Sequence, residues 1–373
     1  MAIYYGILGW LALCAVILRY FQERPRKVLS FLSTVIPLTV IAAGRGMTVG
    51  TDTVQYSHAV QVLQGLGYPQ FESRNLYTNY EFGFTLLLRF CSLFHDPVRV
   101  MIVISSLIIL VIPFLVISLI SDNPQYAYLV YYLLTGYYVN LNLMRQSLAI
   151  SFIYLAIYCI YKGSAALSYV FLLMGSFFHL TIFFVFLIIF LSSYIIEKNT
   201  VKWVTIIGSL LLFILGRFLP ALFTSIGKYG SYATHGERFL VGSRTTPLLM
   251  IMLFGFILML LVYNYNEYDD KFIAFQRKRS VLYGEKRIYN ASIYSCILGV
   301  WLGVCSLYIN LFHRFMYNIF PFIILVIPVI YVYSKKRDML IYKVMGSAIL
   351  ALFFVAFQFV PKDWFGIDPY VWA

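Results

Sequence analysis

Between Gly163 and Ile196 the chain runs for 34 residues without a formal charge. As one helix that run would be about 51 Å long at about 1.5 Å per residue. A bilayer's hydrocarbon core is only about 30 Å thick. A turn at Phe178-His179 resolves the conflict: two short spans, 163–178 and 180–196, with His179 at their tip. Similar apolar runs recur along the whole chain, at 2–20, 29–43, 98–120, 125–143, 146–161, 203–222, 247–264, 289–311, 315–333 and 341–360. The pattern predicts an all-α polytopic membrane protein, residues 1–373 forming a single integral membrane domain with about 12 transmembrane helices. Composition agrees: 61% of residues are apolar and 12% charged, against about 45–50% and about 25% in soluble domains. A soluble enzyme, a nucleic-acid binder and a disordered chain are thereby excluded.

Helix starts are marked at Asp96-Pro97, Asn123-Pro124 and Thr246-Pro247, each a capping side chain before a proline at the first helical position. Arg89 interrupts the segment 81–95. A central arginine on a lipid-facing span is expensive, so this stretch is expected to lie in the interface instead. The first run ends at Arg19 and a basic cluster, Arg24, Arg26 and Lys27, which reads as a retained anchor. The five cysteines have no metal or disulfide spacing and read as small buried apolar residues.

The net charge of +13 speaks first to topology. With the spans above, 17 of the 28 Lys+Arg residues fall on one side, which becomes the cytoplasmic side and includes the loop 265–288. Both ends of the chain then lie outside, with the extracytoplasmic loops 44–97 and 223–246. The outer side is poor in Lys but carries nine arginines, among them Arg45, Arg145, Arg244 and Arg314. Arginine suits planar, bidentate recognition of phosphate. An Arg-rich outer face therefore suggests an anionic ligand such as a phosphate or diphosphate, although some of these residues serve as interface anchors.

Chemistry-bearing residues gather on that same face. Gly50-Thr51-Asp52-Thr53 opens a predicted helix over 53–66, with Thr51 or Asp52 available as its cap and Tyr56 four residues beyond Asp52. Glu81 stands where the chain re-enters the interface, as a reactive acid or as a first-turn carboxylate facing a helix dipole. Arg145-Gln146 begins a span almost without a loop, a costly placement unless partnered. His179 lies at the next outer tip, and His313-Arg314 begins another span. No Walker A loop, HExxH or DxD motif is present, so an activated group is expected to arrive on a lipid rather than on a nucleotide.

The ordered set Gly-Thr-Asp-Thr (50–53) with Tyr56, Glu-Phe-Gly-Phe (81–84), Arg-Gln-Ser-Leu-Ala (145–149), Phe-His (178–179) and Arg-Phe-x-Tyr (314–317) resembles the EpsG-like branch of the Wzy-type O-antigen and exopolysaccharide polymerases, over about residues 40–335. Phe82 departs from the proline expected in many relatives. The resemblance implies a multi-pass enzyme of the bacterial inner membrane with a GT-C-like architecture. Such an enzyme transfers a growing glycan from undecaprenyl diphosphate to an incoming lipid-linked oligosaccharide repeat. In that chemistry Arg145, Arg45, Arg314 and Arg244 would bind the diphosphate, and Asp52, His179 and Glu81 would be the candidate bases. Gln146, Tyr56 and Tyr317 would position substrate. No metal or cofactor is expected. Partners are the lipid-linked oligosaccharides, membrane lipid and a chain-length regulator protein, with no nucleic acid. A glycan ligase would use the same arginines. A flippase would be expected to show charges deep in the spans or internal repeats, and an acyltransferase a cytoplasmic histidine.

Overall fold

The computed structural model describes residues 2–65, 80–194, 197–225, 245–274, 279–333, 336–359 and 366–373. Among them the only strand-like pairing is an isolated bridge between Arg45 and Trp372, and the rest of the regular structure is helical. The chain divides into two compact units. The first comprises residues 1–159, 164–186 and 361–373, and the second residues 160–163 and 187–360. Nothing in the hydropathy pattern marks this division, because apolar runs continue across it.

In the first unit the helices are α1 (Ala2–Leu18), α2 (Glu23–Gly44), α3 (Thr51–Gly65), α4 (Phe82–Ser92), α5 (Pro97–Ile120), α6 (Pro124–Leu133), α7 (Gly136–Asn142), α8 (Met144–Tyr161, whose last two residues, Ile160 and Tyr161, belong to the second unit) and α9 (Ala165–Ser176). The boundary between the units falls within α10 (Phe183–Leu191). Two of the sequence-marked caps form as expected. Asp96 accepts from the Arg99 backbone N–H at 2.9 Å, and Asn123 accepts from that of Tyr126 at 3.4 Å, each ahead of a proline. The 34-residue run does turn at Phe178-His179, between α9 and a short 3-10 segment, Leu180–Ile182.

The run 125–143 is broken instead of continuous. Thr135 adopts the left-handed conformation at φ 63°, and α7 restarts from Gly136. Helix α4 has 11 residues. At about 1.5 Å per residue it is far shorter than a bilayer core.

Helices α3, α4, α5 and α8 share one apolar core built from Tyr56, Val60, Phe84, Leu88, Met101 and Leu148 among others. Two glycines let neighbouring elements close on it. A Cβ on Gly175 of α9 would overlap Ile182 and come within 3.3 Å of the Ala149 carbonyl on α8. A Cβ on Gly83 would stand 2.9 Å from the Phe177 carbonyl, which accepts the Gly83 N–H at 2.7 Å.

The second unit contains α11 (Lys198–Leu215), α12 (Leu219–Ser225), α13 (Thr245–Ala274), α14 (Arg279–Ser306), α15 (Phe320–Tyr333) and α16 (Lys336–Phe359). Helices α13 and α14 continue past their apolar stretches through most of the loop read at 265–288, where Glu, Lys and Arg support helix outside a membrane. Residues Asn310–Asn318 form a 3-10 segment ahead of α15. The buried Arg287 donates from Nη2 to the Ile189 carbonyl at 3.1 Å and to Ser192 Oγ at 3.3 Å, satisfying acceptors where α10 ends.

Six described helices are long and apolar enough to cross a membrane: Glu23–Gly44, Pro97–Ile120, Met144–Tyr161, Lys198–Leu222, Thr246–Asn264 and Gly284–Ser306. Counting a pair bent by 50°, Leu311–Asn318 with Phe320–Pro328, makes seven. Sequence spacing expects twelve. Several of the remaining runs form apolar helices of 10–17 residues, namely Ala2–Leu18, Ala165–Ser176, Leu180–Leu191 and Val344–Val355. Hydropathy sees the run but not where its backbone turns.

One glycine of the second unit gives a direct test of the packing. A Cβ on Gly284 would overlap the Tyr161 carbonyl, a backbone atom that cannot swing aside. Gly284→Ala is therefore expected to destabilise the protein by about 1–3 kcal/mol, read as a lower thermal midpoint in detergent.

Candidate functional site

The Gly-Thr-Asp-Thr turn is built by close approach. Gly50 has φ 98°, and a Cβ there would overlap the Leu141 carbonyl. Thr53 Oγ1 donates to that carbonyl at 3.1 Å. Helix α3 begins at Thr51, so neither Thr51 nor Asp52 caps it as the sequence pattern suggests. The acceptor comes from another segment: Asn142 Oδ1 takes the Asp52 N–H at 2.8 Å and the Thr51 hydroxyl at 3.1 Å. A cap of this kind satisfies a backbone donor that the helix start leaves open. It also fixes α3 against the short link between α7 and α8, one residue from Met144.

Arg145, in the first turn of α8, is where four segments meet. Its Nη1 donates to Glu81 Oε2 at 2.8 Å, and its Nε donates to the Tyr56 hydroxyl at 3.3 Å. The guanidinium carbon lies 4.6 Å from the centre of the Tyr80 ring and 5.7 Å from that of Tyr56, within cation–π range. On α3, the Tyr56 hydroxyl reaches Asp52 Oδ2 at 3.4 Å. The other carboxylate oxygen of Glu81, Oε1, faces His179 Nδ1 at 3.1 Å. Glu81 thus bridges Arg145 and His179, and its side chain is only 11% exposed while theirs are 23% exposed.

Burial by itself would raise the Glu81 pKa. The hydrogen bond from His179 and the charge of Arg145 more than offset that and hold it at about 2. An ionised carboxylate only accepts hydrogen bonds, so a His179 ring in its neutral form would carry its hydrogen on Nδ1, the nitrogen that faces Glu81. Nε2 is then the ring's acceptor nitrogen. A carboxylate titrating near 2 is itself a weak base at neutral pH. The arrangement is therefore suited to taking a proton at His179 Nε2, with Glu81 orienting the ring and fixing Arg145.

The other described sequence candidates are distributed over both units. Arg45 is 1% exposed, with Nη1 donating to the Ala42 carbonyl at 2.5 Å and to Ser106 Oγ at 3.0 Å. Burial lowers its pKa to about 10, so it keeps its charge at neutral pH. Its side-chain hydrogen bonds run to α2 and α5, and to no member of the Arg145 cluster. Gln146 is buried at the start of α8. Arg314 is half-buried and Tyr317 buried, both in the 310–318 segment of the second unit. Arg244 lies outside the described residues, as does most of the loop 223–246. Among the described residues no group of three or more His, Cys, Asp or Glu side chains is arranged to hold a metal ion.

Sequence reasoning assigned no role to Asn142 or Tyr80. Asn142 stands three residues before Arg145 and Tyr80 directly before Glu81, but the residues they contact, Thr51 and Asp52 for the one and Arg145 for the other, are distant in sequence.

The sequence model described as the EpsG family matches residues 28–372. The chain belongs to the EpsG family. No curated protein and no solved structure matches it. The EpsG match extends past about residue 335, where the resemblance read from motifs stopped, and takes in nearly all of the segment 366–373. Membership and the apolar helices make this a multi-pass membrane protein with a role of the polysaccharide-polymerase kind.

Proposed function

We propose that this EpsG-family chain is a glycosyltransferase of the bacterial inner membrane. It moves a growing glycan from undecaprenyl diphosphate to the sugar of an incoming lipid-linked oligosaccharide repeat at the outer face. The observation that carries this reading is the bridge from Arg145 through Glu81 to His179, at 2.8 and 3.1 Å.

An acceptor hydroxyl placed at His179 Nε2 loses its proton there as its oxygen attacks the anomeric carbon. The bond from that carbon to the diphosphate oxygen breaks, and the diphosphate leaves with the electron pair. One displacement inverts the anomeric centre. Nε and Nη1 of Arg145 are held by Tyr56 and Glu81, and its fork also includes Nη2, which would meet the developing charge. A diphosphate carries more negative charge than one Glu81-paired arginine balances. The reading therefore calls on further cations, for which Arg314 and Arg244 are the candidates. Asp52, tied to Tyr56, supports the seat of Arg145, and Gln146 and Tyr317 remain candidate positioning residues. A GT-C-like helical architecture and a chain-length regulator as partner go with this reading.

The test is deletion of the gene followed by analysis of the glycans. The expected result is loss of polymer with retention of single repeats on lipid, together with chain lengthening by the purified protein given that lipid-linked repeat. Absence of single repeats at the outer face would favour a flippase. Polymer that forms normally but is not passed to its final acceptor would favour a ligase.

A further inference from the structure

The segment 366–373 follows α16 in sequence but belongs to the first unit, where it closes over the loop between α2 and α3. The Gly46 N–H donates to the Val371 carbonyl at 2.7 Å, the Ala373 N–H to that of Gly44 at 3.0 Å, and the Gly50 N–H to that of Gly366 at 2.8 Å. Two tyrosines clamp the same segment. The Tyr370 hydroxyl donates to the Ile41 carbonyl at 2.5 Å, and the Tyr4 hydroxyl to the Ile367 carbonyl at 2.7 Å. Glycines permit the fit. The Trp372 ring fills the space that a Cβ on Gly44 would take. Gly366, at φ 58°, lies against the first residue of α3: a Cβ there would stand 2.8 Å from Thr51 Cγ2 and 3.2 Å from Thr51 N.

We propose that residues 366–373 are a positioning strap for the site, one that sets the placement of α3 and through it the seat of Arg145. The proposal rests on the reading of the Arg145–Glu81–His179 cluster as the place of chain extension. The N-terminal turn of α3 is pinned at two points, by Asn142 to residues 51 and 52 and by Gly366 to Gly50. Five residues beyond Thr51, Tyr56 receives Arg145 Nε at 3.3 Å, already near the long limit for a hydrogen bond. A small displacement of α3 breaks that contact and frees one edge of the guanidinium fork. The strap touches none of the reacting groups, so its residues are positioning residues.

The experiment compares Gly366→Val, Gly44→Ala, Trp372→Ala, Trp372→Phe and the double variant Gly44→Ala/Trp372→Ala, with Arg145→Ala as reference. Membrane amount and polymer length are read in the deletion strain. Rates of extension are read with the purified full chain in lipid nanodiscs, using the lipid-linked single repeat isolated from that strain. Gly366→Val is expected to reach the membrane, with kcat reduced by about 10–100-fold and KM little changed, the signature of a misplaced group. Gly44→Ala is expected to be impaired, with part of the loss restored by adding Trp372→Ala, and Trp372→Phe to stay close to the parent.

Parental kcat in both glycine variants, beside an inactive Arg145→Ala, would overturn the strap and leave the site reading standing. A lower protein amount with an unchanged specific rate would also overturn it, since the segment would then only support folding. Normal extension by Arg145→Ala would remove the site reading and the strap with it.

Discussion

Arg145→Ala is expected to leave cells with single repeats and no polymer, a loss of about 100-fold or more in extension rate. The argument starts from Glu81. Its carboxylate is 11% exposed and holds two partners, and removing Arg145 leaves it with one. An under-satisfied buried charge costs about 1–3 kcal/mol or more, so Arg145→Ala will also lower the amount of protein. Two companion variants separate folding from chemistry. Arg145→Ala/Glu81→Gln removes the stranded charge and is expected to restore the membrane amount without restoring polymer. Arg145→Lys keeps the positive charge but not the fork that engages Glu81 through Nη1 and Tyr56 through Nε. It is expected to reach the membrane and to extend chains poorly. Full-length polymer from either arginine variant would show that Arg145 serves packing alone.

The residues of this cluster were legible in the sequence for a physical reason. Charges and histidines inside apolar runs are costly, so Arg145, Glu81 and His179 stand out against their surroundings, as does a 34-residue run too long for one span. What tied them together was not legible. Asn142 and Tyr80 are ordinary neutral residues whose roles come from what packs beside them. Gly50 and Gly366 are over 300 positions apart, and a contact of that range leaves no trace in periodicity. Arg45 illustrates the converse. Side-chain type gives it the same standing as Arg145, but its position on the chain leads its guanidinium into an enclosed seat against Ala42 and Ser106. The break at Thr135 was hidden as well, since its only local sign is the following glycine. The number of spans suffers from the same blindness, because hydropathy averages over a residue that turns the backbone.

Glu81→Gln is the sharper probe of mechanism, since it keeps volume and removes only the charge. A glutamine amide offers His179 Nδ1 either a carbonyl or an N–H, and no longer enforces the hydrogen on that nitrogen. Where a carboxylate fixes the tautomer of a catalytic histidine, the corresponding amide substitution costs about 10⁴ in rate. An effect of about 10²–10⁴ in kcat is expected here, and Glu81→Gln/His179→Ala is expected to be no slower than His179→Ala alone, because the two act as one unit.

Stability should move in a defined pH window. The folded Glu81 carboxyl titrates near 2 against an ordinary 4.5. As pH falls below about 4.5 the unfolded chain takes up a proton that the folded one still refuses, so folding loses support between about 4.5 and 2. Above 4.5 the contribution is fully present. Thermal unfolding in detergent from pH 2 to 6 is expected to show a steeper acid loss in the parent than in Glu81→Gln. Identical slopes, together with near-parental extension by the variant, would mean that the bridge between Arg145 and His179 carries neither the charge nor the proton assigned to it.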